Sequence, residues 1–171
     1  MTRTGNDDLG VLEQRGDEWT LTFTRRLPHP PERVWRAVTE GEHLAAWFPD
    51  RIEGEFRAGA PLRFVTQTGD AFEGETLVLE PGSVLELRWG TDRIRIEVAP
   101  DDDGTVLTLR DTFTDLGKAA RDGAGWHECL ARLDAHLAGA SEPASADTWP
   151  AVHPRYVDAL GPAASTIGPP G

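Results

Sequence analysis

Strict alternation of apolar and polar side chains first occurs at Trp19-Thr20-Leu21-Thr22-Phe23-Thr24, where Trp, Leu and Phe share one face and three Thr the other. A period of two predicts a half-buried antiparallel strand. Residues 11–15 precede it across a Gly16-Asp17 turn and form its expected partner. Pro28, Pro30 and Pro31 stop the strand, and Pro31 sits where a helix accepts a first-turn proline. Val34, Trp35 and Val38 then recur at helical spacing as far as Glu40. Gly41 interrupts the pattern, and 42–48 predicts a second short helix with Leu44, Trp47 and Phe48 on one face, ended by Pro49-Asp50. From Arg51 to Phe113 short apolar runs at 52–56, 62–67, 72–80, 84–89, 94–98 and 105–113 alternate with Gly-, Pro- and Asp-rich turns, which predicts a six-strand antiparallel meander. Trp126, Leu130, Leu133 and Leu137 then fall at i, i+4, i+7 and i+11, one stripe of a long helix ending at Gly139, with Glu128 and Arg132 paired on its flank.

This order predicts an α+β domain over 10–139 in which one curved sheet wraps one long C-terminal helix. Such a sheet leaves a cavity, and the bulky groups available to line it are Trp35, Trp47, Phe48, Trp89, Phe113 and Trp126. The competing reading is that they fill the core. Strand parity puts Asp111 with Leu107, Leu109 and Phe113, and Arg25 with Leu21, Phe23 and Leu27. A charge on an apolar face has to be paired, solvated or neutralised, so both are candidates for the polar end of a ligand site, with a capped or wetted sheet end as the alternative. The remaining residues, 140–171, are Pro-, Ala- and Gly-rich and read either as a disordered tail or as one that docks through 149–160, where Trp149, Val152, Tyr156, Val157 and Leu160 cluster.

Charge narrows the partners. The 171 residues carry Lys+Arg 17 against Asp+Glu 29, a net charge of -12 that repels phosphate backbones and anionic headgroups, so neither nucleic acid nor a membrane surface is an expected partner. The N-terminus MTRTGNDDLG contains no apolar run and the chain no membrane-length one, which points to a cytoplasmic protein. A single cysteine, Cys129, excludes an internal disulfide framework, and beside the apolar stripe it reads as a buried inert thiol. Metal and cofactor chemistry have no motif: His127 and His136, nine apart on one helix, face opposite ways, and His29 and His43 read as lone surface histidines. No nucleophile elbow or phosphate-cradling Gly loop occurs, and the pairs Glu53/Glu55 and Glu73/Glu75 read as solvated strand faces. No catalytic residue, metal or cofactor is therefore assigned.

Four segments in order, Pro31-Glu32-Arg33-Val34-Trp35-Arg36-Ala37, Glu42-His43-Leu44-Ala45-Ala46-Trp47-Phe48, Gly59-Ala60-Pro61-Leu62-Arg63-Phe64 and Leu85-Glu86-Leu87-Arg88-Trp89, resemble the hallmark segments of the SRPBCC superfamily. More narrowly they resemble its bacterial branch named after the activator of the ninety-kilodalton heat-shock protein ATPase (AHSA), whose C-terminal helix motif is similar to Gly125-Trp126-His127-Glu128-Cys129-Leu130-Ala131-Arg132-Leu133. The resemblance implies the helix-grip, START-like and pollen-allergen-like fold. Asp111 and Val78 depart from the branch, where many relatives carry His and Glu. With an aromatic inward face and no catalytic constellation, the leading expectation is a protein that binds a small hydrophobic molecule. A polyketide cyclase or aromatase and a chaperone-interacting protein are the alternatives the resemblance implies, and a homodimer stays open.

Overall fold

The computed structural model describes residues 8–168; most of the N-terminal segment read above and the last three residues of the tail lie outside the described residues. The elements run β1 (Val11–Arg15), β2 (Glu18–Leu27), α1 (Pro31–Thr39), α2 (Gly41–Trp47), β3 (Arg51–Glu53), β4 (Pro61–Val65), β5 (Ala71–Glu80), β6 (Val84–Trp89), β7 (Asp92–Asp101), β8 (Gly104–Phe113), α3 (Ala119–Leu137) and α4 (Trp149–Leu160). The strands form one antiparallel sheet ordered β1-β2-β8-β7-β6-β5-β4-β3. A hairpin opens the chain, the α1–α2 pair leaves the sheet, and the meander from β3 to β8 returns to lie beside β2. This is the helix-grip arrangement.

Register follows from the alternation. Leu21 opposes Asp111 and Phe23 opposes Leu109 across β2 and β8, so one face of each strand enters the core and its Thr or Arg neighbours face out. On the other side of that core lies the α3 stripe, where Trp126, Leu130, Leu133 and Leu137 are each at most 4% exposed. Two turns are tighter than their composition suggests. Asp101 pairs with Gly104 and Trp89 with Asp92, so both loops have two central residues, Asp102 and Gly90 take positive φ, and β7 and β8 run longer than 94–98 and 105–113.

The strand expected at 52–56 stops at Glu53 instead. Gly54 sits at φ 119°, outside the extended region, and a Cβ there would lie 2.8 Å from the Pro61 carbonyl oxygen. The chain therefore turns outward at 54–60 and leaves a gap beside α2. Residues 149–160 form a helix on α3, with Val152 and Tyr156 fully buried. Gly123 permits the approach: a Cβ on it would meet the Tyr156 ring at 2.9 Å. Among the described residues no helix is long and apolar enough to cross a membrane.

Candidate functional site

The interior facing α3 is a column of aromatic rings. Phe48, at the end of α2, lies 5.6 Å from Trp47, 6.3 Å from Phe64 and 5.6 Å from Trp126, and Trp126 lies 5.3 Å from Trp89. Phe72 closes the far end, 5.2 Å from Phe64 and 5.8 Å from Trp89. A buried indole N–H needs an acceptor, and each of the three tryptophans has one from a different segment. Trp47 Nε1 donates to the Ala37 carbonyl at 2.9 Å, Trp89 Nε1 to Asp50 Oδ2 at 2.8 Å and Trp126 Nε1 to Asp111 Oδ2 at 3.1 Å.

Open space lies beside this column. A hollow of about 380 Å³ separates α1–α2 from the β3 and β5 ends, walled by Trp35, Leu44, Ile52, Phe56 and Leu79 with Glu55 on its rim. A second, of about 290 Å³, continues past Leu44 and Ile52 to Phe48, Asp50, Arg51 and Gln67. Of the cavity candidates, Trp35 and Phe48 line these hollows, and half-buried Trp89 reaches the second through Asp50. Trp47, Phe113, Trp126 and Asp111 are enclosed in the packed core. Arg25 is half-buried at the other end of its strand, donating to the Thr24 carbonyl at 3.0 Å with its guanidinium 6.0 Å from the Phe23 ring. It opposes Leu107 while Asp111 opposes Leu21, so the structure does not bring the two charged candidates together.

Asp50 is the group that periodicity missed, since it lies in the α2–β3 connection where no period applies. Burial pushes its carboxyl above the ordinary value, against the lowering effect of the Trp89 hydrogen bond. Asp111 is fully buried and its Oδ1 has no hydrogen-bond partner. Burial first, then the carboxylates of Asp92 and Asp122, raise it well above the ordinary range, opposed by Lys118 and the Trp126 N–H. Lys118, the chain's one lysine, sits 2.7 Å from both Asp92 oxygens and 3.4 Å from Asp122.

One histidine expectation is corrected. His43 is not alone: its Nδ1 lies 2.8 Å from His136 Nε2, because α2 crosses the end of α3. His127 is 2% exposed, with Nδ1 3.1 Å from the Tyr156 hydroxyl and Nε2 3.1 Å from Asp147 Oδ1 and 3.6 Å from Asp8 Oδ2. One imidazole and two carboxylates at this spacing have the donor set of a metal centre. Hydrogen accounting gives a different role. The Gly10 N–H donates to the Tyr156 oxygen at 2.9 Å, which leaves the Tyr156 O–H to donate to His127 Nδ1 and His127 Nε2–H to donate to Asp147. Every group is satisfied with a neutral imidazole, and a metal on Nε2 would strand the tyrosine proton. Burial lowers the His127 pKa, partly offset by Asp147 and Asp8. The cluster is a clasp joining residues 8–10, α3, the 145–147 turn and α4. Cys129 is buried as expected, its thiol pushed up to about 12 by that burial. Glu53, Glu55 and Glu73 are exposed as expected and Glu75 is half-buried.

Residues 28–138 match the AHSA1 family, described as Activator of Hsp90 ATPase homolog 1-like protein. No curated protein matches the chain. Among solved structures, a conserved protein of unknown function from Enterococcus faecalis, EF2215, has a TM-score of 0.76 at 19% identity, over 88% of this chain and 90% of its own. CalU16 from Micromonospora echinospora has a TM-score of 0.71 at 22% identity, over 88% of this chain and 94% of its own. DynU16, a protein in the dynemicin biosynthetic locus, has a TM-score of 0.66 at 26% identity, over 75% of this chain and 50% of its own.

Proposed function

The chain belongs to the AHSA1 family, whose matched span holds every wall of the double hollow, and from that premise we propose that it binds a small apolar molecule between α1–α2 and the β3–β5 end of the sheet. One observation carries the reading: a recess walled by Trp35, Leu44, Ile52 and Phe56 lies against an aromatic column, with polar groups such as Glu55, Asp50 and Gln67 along its length. Sites for small molecules join such a lining to one or two fixed polar groups. Asp111, His127, Tyr156 and Cys129 lie outside the hollow, and its own titratable carboxylates, Asp50 and Glu55, have no nucleophile beside them among the described residues, which supports binding over catalysis. No chemical step is assigned to the site.

The test is titration with N-phenyl-1-naphthylamine, a neutral fluorophore whose emission rises in apolar surroundings. Saturable enhancement with the wild-type chain, lost in Ile52→Trp, which fills the recess from β3, is the expected result. Non-saturable emission, or the same affinity in Ile52→Trp, removes the hollow as a binding site.

A further inference from the structure

Asp50 lines the second hollow, which shares Leu44 and Ile52 with the first, and is half-buried, with one carboxylate oxygen held by the Trp89 indole N–H at 2.8 Å. Among the described residues it has no ion-pair partner; Arg51, on the same wall, is exposed and points toward Glu53 at 3.7 Å, a carboxylate that Arg63 holds at 2.6 Å. A half-buried carboxylate without a cation, facing apolar space, is an arrangement that a bound ammonium completes. Apart from Arg51, the surroundings agree in sign. Glu55 is the charged residue on the wider hollow, and the chain as a whole carries -12. An anion entering here meets the Asp50 carboxylate at the inner end, Glu55 at the rim and a negative field on approach.

We infer that the hollow selects amine-bearing apolar molecules, with the ligand ammonium on Asp50 and its hydrocarbon body against Leu44, Ile52 and Trp35, and that it discriminates against fatty acids and other apolar anions. This rests on the binding reading above and adds the chemical class. Asp50 acts here as the specificity-determining residue, with Trp89 fixing its orientation. The cost that burial imposes on its charge is offset when a ligand cation sits against it.

Three probes of one shape separate the possibilities: 1-naphthylmethylamine, 1-naphthylmethanol and 1-naphthylacetate, each titrated calorimetrically into the wild-type chain and into Asp50→Asn. Asparagine still accepts from Trp89, so the variant removes charge and keeps the hydrogen bond. The expected order is amine, then alcohol, then acid, with about tenfold or more between amine and acid. In Asp50→Asn the amine loses that advantage while the alcohol stays within about twofold of wild type. A reading that does not depend on the variant is the Trp89 indole N–H resonance of the wild-type chain, which shifts with the amine and not with the acid. Equal affinity for amine and acid, or an amine preference that survives in Asp50→Asn, overturns the inference and leaves the binding reading standing. Saturable binding of none of the three overturns both.

Discussion

Replacing Asp111 by Asn should stabilise this protein at neutral pH, an unusual direction for a change at a fully buried position. The carboxyl has 0% exposure, Oδ2 accepts from Trp126 Nε1, and Oδ1 has no partner. Asp92 and Asp122 each place a carboxylate oxygen within 4.8 Å of it. A group whose folded-state pKa lies above its unfolded value binds its proton more tightly when folded. Its favourable contribution is complete below the unfolded pKa of 3.8 and is lost as pH rises through the folded value, so above pH 4 the wild-type chain becomes progressively less stable through this residue. Asparagine is neutral throughout, its Oδ1 can take the Trp126 hydrogen bond, and its Nδ2 donates toward the two carboxylates. Relief of one buried unsatisfied polar atom amounts to about 1–3 kcal/mol. For a chain of this size that corresponds to a rise in Tm of about 2–12 °C. Urea unfolding at pH 4, 6 and 8, followed by tryptophan fluorescence, gives the comparison. The Asn variant should match wild type near pH 4 and exceed it increasingly at pH 6 and 8, while Asp111→Ala, which deprives Trp126 of its acceptor, should be less stable than wild type at all three. An Asn variant weaker than wild type at pH 8 would refute the reasoning by showing that Asp111 is ionised and compensated by Lys118.

Tyr156→Phe strands the Gly10 N–H and leaves His127 Nδ1 without a donor, so unfolding free energy should fall by about 1–3 kcal/mol; a change below about 0.5 kcal/mol would show the clasp idle. Because burial depresses the His127 pKa below 6.5, its contribution is present above that pH and lost as pH falls through the folded value. Wild type should therefore lose more stability than His127→Gln between pH 7 and 5, and equal losses would contradict the neutral imidazole. Leu133→Ala, at a position 1% exposed, should cost about 2–5 kcal/mol, whereas Arg132→Ala, whose partner Glu128 is 3.6 Å away at the surface, should stay within about 1 kcal/mol. Equal losses would mean the α3 stripe faces elsewhere. Random duplex DNA should give no gel shift at about physiological salt, because net charge -12 opposes counterion release; a salt-sensitive shift at micromolar protein would sink that expectation.

Periodicity made the strands and the α3 stripe legible because each buried face imposes a period that only one element type satisfies. Leu21 and Phe23 sit opposite Asp111 and Leu109 as parity requires. Parity also placed Asp111 inward, yet it carries no information about distance across the core, so the bond from Trp126 to Asp111 could not be read from it. Connections have no period at all. Asp50 looked like a helix terminator, and its approach to Trp89, 39 residues away, depends on where the meander returns β6. The clasp was hidden for a different reason. His127 and Tyr156 are 29 residues apart, separated by a Pro- and Ala-rich stretch whose composition matches disorder, while Val152, Tyr156 and Gly123 supply the surface complementarity that makes α4 fold back.

The three indole hydrogen bonds also divide the labour around the proposed binding recess. Their acceptors come from α1, from the α2–β3 connection and from β8, so the aromatic column ties those segments into one wall and fixes the inner surface before any ligand arrives. The outer surface is different in kind. Gly54, Glu55 and Phe56 belong to the connection that left the sheet early, and Pro81 to the turn after β5, so neither stretch is held by strand pairing. In the proposed site, size discrimination then falls on Phe56, since Leu79 is held in β5 opposite Leu85, whereas charge discrimination falls on Asp50, which cannot move without releasing Trp89. A relative could change the girth of its ligand by altering 54–60 alone. Changing the ligand's charge calls for Asn at position 50, whose carboxamide oxygen keeps the Trp89 hydrogen bond, because a residue without an acceptor there would strand the Trp89 N–H beside Trp126.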